Sequence, residues 1–170
     1  MGARHLRCRS SANQLGQPAK NALRGRITVH EADLADAVSV QRAIAAAKPD
    51  VIFHLASIAN VPVSWASPSS VLSTNVMGTV NLFEAVGAAG LDPVILLSGT
   101  SSMYGKVDPK DVPLTEDAPL RPMSPYGVSK AAQDMLGAAY FAAKGLRVVR
   151  ARIFGYVSPR RPDLFTSAFA

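Results

Sequence analysis

Short apolar runs alternate with helical segments along this chain, and this alternation constrains its fold more than any other feature. The predicted strands are 27–34, 51–55, 93–99 and 146–154. The predicted helices, which carry apolar residues at helical spacing, are 36–48, 70–89 and 125–144. Strands that alternate with helices pair in parallel through right-handed crossovers. The sequence therefore predicts an α/β fold, a doubly wound parallel sheet with helices on both faces.

The candidate site lies where the predicted strands end, because an open parallel sheet binds ligands beyond the carboxyl ends of its strands. Those ends carry small or polar residues at Asp33, 55–57, 98–102 and Gly155. Strand 51–55 carries apolar residues at positions that point to either face of the sheet, so we predict that both its faces are buried. We interpret His54 as a core residue, because no side chain is positioned to make it catalytic.

Thr100, Tyr126 and Lys130 form the candidate catalytic group. Thr100 follows a predicted strand, and Tyr-x-x-x-Lys opens the next helix, with Ser124 as its N-cap and Pro125 at the first helical position. Residues four apart share a helical face, and an ammonium beside a phenol lowers the tyrosine pKa towards neutral pH. Tyr126 is therefore a candidate general acid and base. The pair alone also occurs by chance on helices, so the argument depends on its context.

Two connections are predicted loops. The stretch 58–70 holds two prolines and several serines. The connection 104–125 is rich in Pro and Asp and longer than most loops of compact domains, which is typical of a functional loop.

The net charge of +6 originates in a basic head, residues 1–26, which holds six Lys and Arg and no acid. From residue 27 onwards, 12 Lys and Arg balance 12 Asp and Glu. The head is open to interpretation as a transit peptide, a nucleic-acid arm, a phosphate-contacting loop or a poorly ordered tail. It lacks aromatic residues that stack on bases, which argues against nucleic acid as a partner.

Length, hydropathy and cysteine usage favour a cytoplasmic protein without a membrane partner. The 170 residues allow one domain with a sizeable core, and no apolar run approaches the roughly 18 residues that cross a bilayer. The single cysteine, Cys8, allows no internal disulfide and no metal site by itself.

Six motifs, which follow one another along the chain, resemble those of a known family. They are Asp33-Leu34 after a strand, His54-Leu55-Ala56, Thr74-Asn75 before Gly78-Thr79, the run 100–105, the run 114–122, and Tyr126 to Lys130. Over residues 27–170 the chain resembles the extended short-chain dehydrogenase/reductases, the NAD-dependent epimerases and dehydratases of nucleotide sugars. Its stretches 124–137 and 148–154 resemble GDP-mannose 4,6-dehydratases and their reductase relatives. The resemblance implies a partial Rossmann-like sheet.

The resemblance also implies a role for each candidate residue. Tyr126 would act as acid and base at the sugar C4 oxygen, Thr100 would hydrogen-bond that oxygen, and Lys130 would also contact the nicotinamide ribose. The implied cofactor is NADP or NAD, with hydride passing between it and sugar C4. The other implied cofactor-binding residues are Asp33 with Leu34 at adenine, Leu55, Ala56 and Ser57 along the phosphates and ribose, and Arg9 and Ser10 at a 2′-phosphate.

The chain departs from that family at its nucleotide-binding start. No glycines before Asp33 have the spacing of the Gly-rich turn that brings pyrophosphate to a helix N-terminus. The accompanying strand lies centrally in a doubly wound sheet, so strand 51–55 is expected to have an unpaired edge. We interpret residues 27–170 as an incomplete dinucleotide-binding domain that lacks the family's substrate domain. Residues 1–26 would be a remnant of the loop after the second strand, or disordered.

The substrate side departs from the family as well. Ser102 is a candidate catalytic residue at a position where the dehydratases are expected to have glutamate. Removal of water needs a base of carboxylate strength, so Ser102 favours epimerisation or ketone reduction. Gly155 stands where the family is expected to have an asparagine that binds the sugar nucleotide, and Ser158 stands where it is expected to have a glycine before Pro159.

Two functions remain open. The first is an NAD(P)-dependent nucleotide-sugar epimerase, dehydratase or reductase, hence a lyase or oxidoreductase. A GDP-sugar is its favoured substrate, and a homodimer through the helices at 70–89 and 125–144 is possible. The second is a truncated, non-catalytic fragment or pseudoenzyme of that family.

Overall fold

The computed structural model describes the backbone of residues 3–8 and all of residues 27–155. The strands are β1 (Ala3–Cys8), β2 (Ile27–Ala32), β3 (Val51–His54), β4 (Val94–Ser98) and β5 (Val148–Ala151). The α-helices are α1 (Ala37–Ala47), α2 (Val61–Ala66), α3 (Pro68–Leu72), α4 (Gly78–Ala88) and α5 (Pro125–Lys144). A π-turn at Ser73–Met77 joins α3 to α4, and 3-10 turns lie at Ser101–Met103 and Pro109–Asp111. In this part of the chain, no helix is long and apolar enough to cross a bilayer.

The strands form two parallel sheets, which confirms the predicted α/β class. β1 pairs with β2, and β4 lies between β3 and β5. Phe53 is in register with Leu96, and Leu96 with Val149. Helices connect β3 to β4 and β4 to β5, as parallel neighbours require. Within the described residues, the remaining edges of β1 and β3 pair with no strand, as expected for strand 51–55.

Capping residues start α1, and start and end α5, where the sequence predicts them, whereas the single helix predicted at 70–89 is divided into α3, the π-turn and α4. The Asp36 carboxylate accepts hydrogen bonds from the N–H groups of Val38 and Ser39, at 3.0 and 3.3 Å, at the start of α1. Ser124 Oγ accepts one from the Gly127 N–H at 3.0 Å at the start of α5. Helix α5 ends at Gly145, whose φ of 69° is left-handed and favours glycine.

The apolar core lies between one face of the second sheet and helices α1, α4 and α5. Its buried members are Leu34, Val40, Ile44, Leu82, Phe83, Ala85, Val86, Ile95, Leu97 and Leu146. Because Leu34 lies two residues after the end of β2, the end of the first sheet shares this core. The same arrangement orients the carboxyl ends of β3 and β4 towards the start of α5.

The prediction that both faces of the strand at 51–55 are buried is wrong. His54 is 4% exposed, whereas Val51, Phe53 and Leu55 are 52%, 66% and 61% exposed. Val149, on the same face as Phe53, is also exposed. The described helices pack on the side that carries His54, so within residues 27–155 no helix covers the opposite face. A strand that is apolar at nearly every position therefore does not by itself show that helices pack on both faces of its sheet.

Two elements were not predicted. Helix α2 lies in the stretch predicted as a loop, where Asn60 Oδ1 accepts a hydrogen bond from the Val63 N–H at 2.9 Å and caps the helix. Strand β1 lies in the basic head, because six residues pair along the backbone with β2 whatever their side chains are. A poorly ordered tail is therefore the wrong interpretation for residues 3–8, and residues 9–26 lie outside the described part.

Candidate active site

Helix α5 brings the Tyr126–Lys130 pair to the carboxyl end of β4. The cap at Ser124 places Tyr126 in the first helical turn and Lys130 one turn later on the same face. The Lys130 ammonium reaches back to the strand, where Nζ donates a hydrogen bond to the Ser98 carbonyl at 2.9 Å. Ser98 is the last residue of β4, and Thr100 follows two residues later. Lys130 and Thr100 therefore meet at one strand end.

Burial sets the acidity of Lys130. The side chain is 3% exposed, and removal of its charge from water lowers the lysine pKa from its ordinary value to about 8. At neutral pH it therefore still carries its positive charge, next to the carboxyl end of β4. A charge held there favours the ionised form of a nearby phenol.

A close backbone contact fixes the first turn of α5 against the loop after β4. A Cβ added at Gly127 would lie 2.8 Å from the Ser102 carbonyl oxygen, a distance that real Cβ atoms do not tolerate. Glycine next to Tyr126 thus allows the helix to approach the Ser101–Met103 turn. This contact brings the turn that carries Tyr126 next to Thr100 and Ser102.

Thr100 and Ser102 present hydroxyls from the same short turn. Thr100 Oγ1 accepts a hydrogen bond from the Ser102 N–H at 3.3 Å and lies 3.4 Å from Ser102 Oγ. Both residues are partly buried. In the residues that the structure describes, no group of three or more His, Cys, Asp and Glu side chains is arranged to hold a metal ion. The site therefore offers hydroxyls, a phenol and an ammonium.

An arginine that the sequence analysis did not identify connects the loop after this turn to the strand β5. Arg152 donates hydrogen bonds to the Tyr104 hydroxyl at 3.0 Å and the Glu116 carbonyl at 2.6 Å. The Arg121 backbone N–H also donates a hydrogen bond to the Met103 carbonyl at 3.0 Å. The long connection predicted to be functional is thus attached at both ends to the candidate site.

Asp134 anchors the same arginine to α5. Its carboxylate is 4% exposed and accepts hydrogen bonds from Arg150 at 2.8 Å and from Arg152 at 2.9 and 3.1 Å. The hydrogen bonds to Asp134 raise the pKa of Arg152 above its ordinary value. The sequence contains a signal for this ion-pair cluster: Asp134 is an acid on the apolar face of a predicted helix, and the next predicted strand carries Arg150 and Arg152.

The residues predicted to bind a cofactor differ in their exposure. Leu55 is 61% exposed and Ala56 and Ser57 are half-buried, immediately after β3. Asp33 is exposed after β2, with one carboxylate oxygen accepting a hydrogen bond from the Ala35 N–H at 2.9 Å. The side chain of Leu34 is 3% exposed and packs in the core, so only its backbone can face a ligand. Arg9 and Ser10 lie outside the described residues.

A parallel sheet with a Tyr-x-x-x-Lys helix at its strand ends is typical of the short-chain dehydrogenase/reductases, and the solved structures that resemble this chain place it in that class. Within the class, the chain belongs to the GDP-mannose 4,6-dehydratase family, whose sequence profile matches residues 4–168. The prediction made from the six motifs is thereby confirmed.

Individual proteins agree with this assignment. The chain is 34% identical over 122 residues to a GDP-6-deoxy-D-mannose reductase of Pseudomonas aeruginosa, covering 72% of this chain and 40% of the reductase. The structure of RMD from P. aeruginosa complexed with NADPH superposes with a TM-score of 0.76 at 28% identity, over 94% of this chain and 56% of that one. DesIV, a dTDP-glucose 4,6-dehydratase from Streptomyces venezuelae with NAD bound, gives a TM-score of 0.79 at 30% identity, over 99% and 51%.

The chain spans between 29% and 41% of the length of similar curated relatives. The match includes both sheets and the Tyr126 helix, and more than half of each of these curated relatives lies beyond it. The activity and substrates of those proteins therefore apply to this chain only as proposals.

Proposed function

We propose that this chain carries the hydride-transfer site of an NAD(P)-dependent nucleotide-sugar enzyme acting at sugar C4. The observation that supports this best is the hydrogen bond from Lys130 Nζ to the Ser98 carbonyl at 2.9 Å. Lys130 lies one helical turn after Tyr126, and Ser98 lies two residues before Thr100. A phenol, a buried ammonium and a hydroxyl at one strand end suit the proton transfer that accompanies oxidation of a secondary alcohol to a ketone, or reduction of that ketone, while a bound nicotinamide would carry the hydride.

In this proposal each side chain has one task. Tyr126 takes the proton from the C4 hydroxyl, or returns it to the C4 oxygen, as general base or acid. Lys130 keeps its charge at neutral pH and stabilises the phenolate form. Thr100 donates a hydrogen bond to the C4 oxygen and so fixes its position relative to Tyr126.

The cofactor proposed is NADP or NAD, as the relatives solved with NADPH and with NAD suggest. When bound, its nicotinamide supplies or accepts the hydride. Leu55, Ala56 and Ser57 would line its phosphates and ribose, with Lys130 at the nicotinamide ribose and Asp33 at adenine. Arg9 and Ser10 are proposed for a 2′-phosphate on sequence grounds alone.

Ketone reduction or epimerisation fits Ser102 better than dehydration does. Loss of water from a 4-keto sugar begins with removal of the C5 proton, and a serine hydroxyl at neutral pH is a poor base for it. The Ser102 hydroxyl lies 3.4 Å from Thr100 Oγ1, which gives it a hydrogen-bonding role in the same turn. A GDP-6-deoxyhexose with a C4 ketone is the substrate we propose.

The test is direct reduction of that ketone. The purified chain is incubated with NADPH or NADH and a GDP-4-keto-6-deoxyhexose, and the loss of absorbance at 340 nm is compared with the reduced sugar formed. We expect equal amounts of cofactor oxidised and sugar reduced. Absence of both, in a chain that folds cooperatively and binds the cofactor, would overturn the proposal.

A non-catalytic member of the family is the second candidate. One observation favours it: the apolar face formed by Val51, Phe53 and Leu55 is uncovered in the described residues, at the strand that precedes the proposed cofactor segment. A cooperative fold that binds neither cofactor nor GDP-sugar would favour this candidate over the enzyme.

We also propose a homodimer through α3, α4 and α5. Leu72 and Met77, at the end of α3 and in the π-turn, are 38% and 51% exposed. Val128, Met135 and Phe141 on α5 are 44%, 59% and 62% exposed. Val128 and Met135 are seven residues apart and share one face of α5, whereas Phe141 lies on another face. Because α3 and α5 pack against each other, we place Val128 and Met135 on one apolar surface with Leu72 and Met77.

A further inference from the structure

Three polar side chains from three different elements meet in the core beneath the candidate site. His54 of β3, Thr79 of α4 and Gln133 of α5 are 4%, 0% and 1% exposed. His54 Nε2 lies 2.9 Å from Thr79 Oγ1, and Gln133 Nε2 donates to the same oxygen at 2.5 Å. We call this group the core triad. Buried polar groups of this kind fix the relative position of the elements that carry them.

The single proton of the Thr79 hydroxyl determines which nitrogen of His54 is protonated. The Thr79 hydroxyl has one proton, which it donates to the Asn75 carbonyl at 2.7 Å. Its lone pairs are left to accept, so His54 donates from a protonated Nε2. The Gln133 amide is the second donor to Thr79, which explains why Gln133 Nε2 and His54 Nε2 stay 3.5 Å apart.

The triad is continuous with the turn of α5 that carries Tyr126 and Lys130. Asn75, whose carbonyl accepts from Thr79, donates through Nδ2 to Ser129 Oγ at 2.9 Å. Ser129 Oγ in turn donates to the Tyr126 carbonyl at 2.7 Å. Lys130 therefore lies between two anchored residues of α5, Ser129 before it and Gln133 three positions after it.

Packing alone does not account for Gln133. Its Oε1 is buried without a hydrogen-bond partner in the described structure, and a buried unsatisfied oxygen destabilises the fold. An apolar side chain of the same length would avoid that cost. The amide remains useful only for the bond that it donates to Thr79.

We propose that His54, Thr79 and Gln133 are positioning residues that hold the Lys130 turn of α5 against β3 and α4, so that the ammonium stays on the Ser98 carbonyl. The effect of this positioning on turnover rests on the proposed function, whereas the positioning of Lys130 by the core triad does not. The triad requires an uncharged His54, because the positive charge of Lys130 acts on this histidine. Its other neighbours, Leu97 on β4, Thr79 and Gln133, carry no charge that offsets a second cation.

Burial agrees with that requirement. Desolvation, together with the charge of Lys130, lowers the pKa of His54 to about 4. The histidine is therefore neutral at physiological pH, with its proton on Nε2.

The experiment measures the ionisation of Lys130 by NMR of 13C-labelled lysine, in the full chain without substrate. Thr79→Val removes both hydrogen bonds of the core triad and Gln133→Met removes the one from Gln133, each at nearly constant shape, whereas Thr79→Ser keeps the hydroxyl. We expect both disrupting variants to raise the Lys130 pKa by about one unit or more as water reaches the ammonium. Thr79→Ser should behave as the unchanged chain does.

A Lys130 pKa unchanged in Gln133→Met, in protein that unfolds cooperatively, would overturn the proposal even if Thr79→Val fails to fold. So would 15N spectra showing a His54 cation, or an Nδ1–H tautomer, at pH 7. Where turnover is measurable, kcat should fall about tenfold in Gln133→Met while KM changes little. Because the NMR readout needs no substrate, an inactive chain leaves the positioning test intact.

Discussion

At the scale of single residues, the phenol of Tyr126 carries the chemistry that we propose. Tyr126→Phe removes one oxygen on a partly buried turn, so hydride transfer should fall by about 10²–10⁴-fold. Thermal unfolding and cofactor binding should change little. The matched control is Tyr140→Phe on the same helix, whose hydroxyl binds Glu84 at 2.6 Å away from the site. Steady-state turnover that survives Tyr126→Phe would remove this residue from the mechanism.

Lys130 predicts a pH dependence of stability. Its folded-state pKa is about 8 against 10.5 when exposed, so between pH 8 and 10.5 the unfolded chain binds more protons than the folded chain. Stability attributable to Lys130 therefore rises with pH across this window, by about 3 kcal/mol in total. Urea unfolding of the unchanged chain and of Lys130→Met, measured at pH 7.5 and 10.5, gives the difference. A difference that stays constant with pH would contradict the burial of the charge.

At the scale of elements, the contact between α5 and the Ser101–Met103 turn is a packing requirement at Gly127. A methyl group there would lie 2.8 Å from the Ser102 carbonyl, so Gly127→Ala should destabilise the chain by about 1–3 kcal/mol. Gly87 in α4 has no atom within 4 Å of an added Cβ. Gly87→Ala should therefore stabilise the chain by about 0.5 kcal/mol. Equal effects of the two changes on the free energy of unfolding would contradict the close approach.

Local signals predicted most elements, and long-range contacts account for those that were missed. Ser124, Pro125 and Gly145 define α5 from the sequence because caps act within a few residues. β1 was missed because its partner, β2, begins 19 residues after β1 ends. His54 was correctly placed in the core, but its bond to Thr79 and the bond from Gln133 to Thr79 join residues 25 and 54 positions apart. The pairing of Asp134 with Arg150 and Arg152 depends on how α5 packs on β5, which periodicity does not give.

At the scale of the whole molecule, the exposed apolar side chains of α5 predict self-association. Met135→Glu places a charge in the proposed dimer surface and should shift the chain from dimer to monomer in analytical ultracentrifugation. Val38→Glu is the matched control, since Val38 is 62% exposed on α1, outside that surface. A chain that is monomeric before either change would contradict the proposed interface.

The central claim is that the strand ends around Lys130 bind a nicotinamide dinucleotide, and thermal unfolding with added cofactor tests it most directly. A ligand that binds only the folded state stabilises it, by about 2.7 kcal/mol at a hundred times its Kd. We predict one cooperative transition whose midpoint rises with NADP(H) or with NAD(H). A cooperative transition that neither cofactor moves at millimolar concentration would contradict the claim.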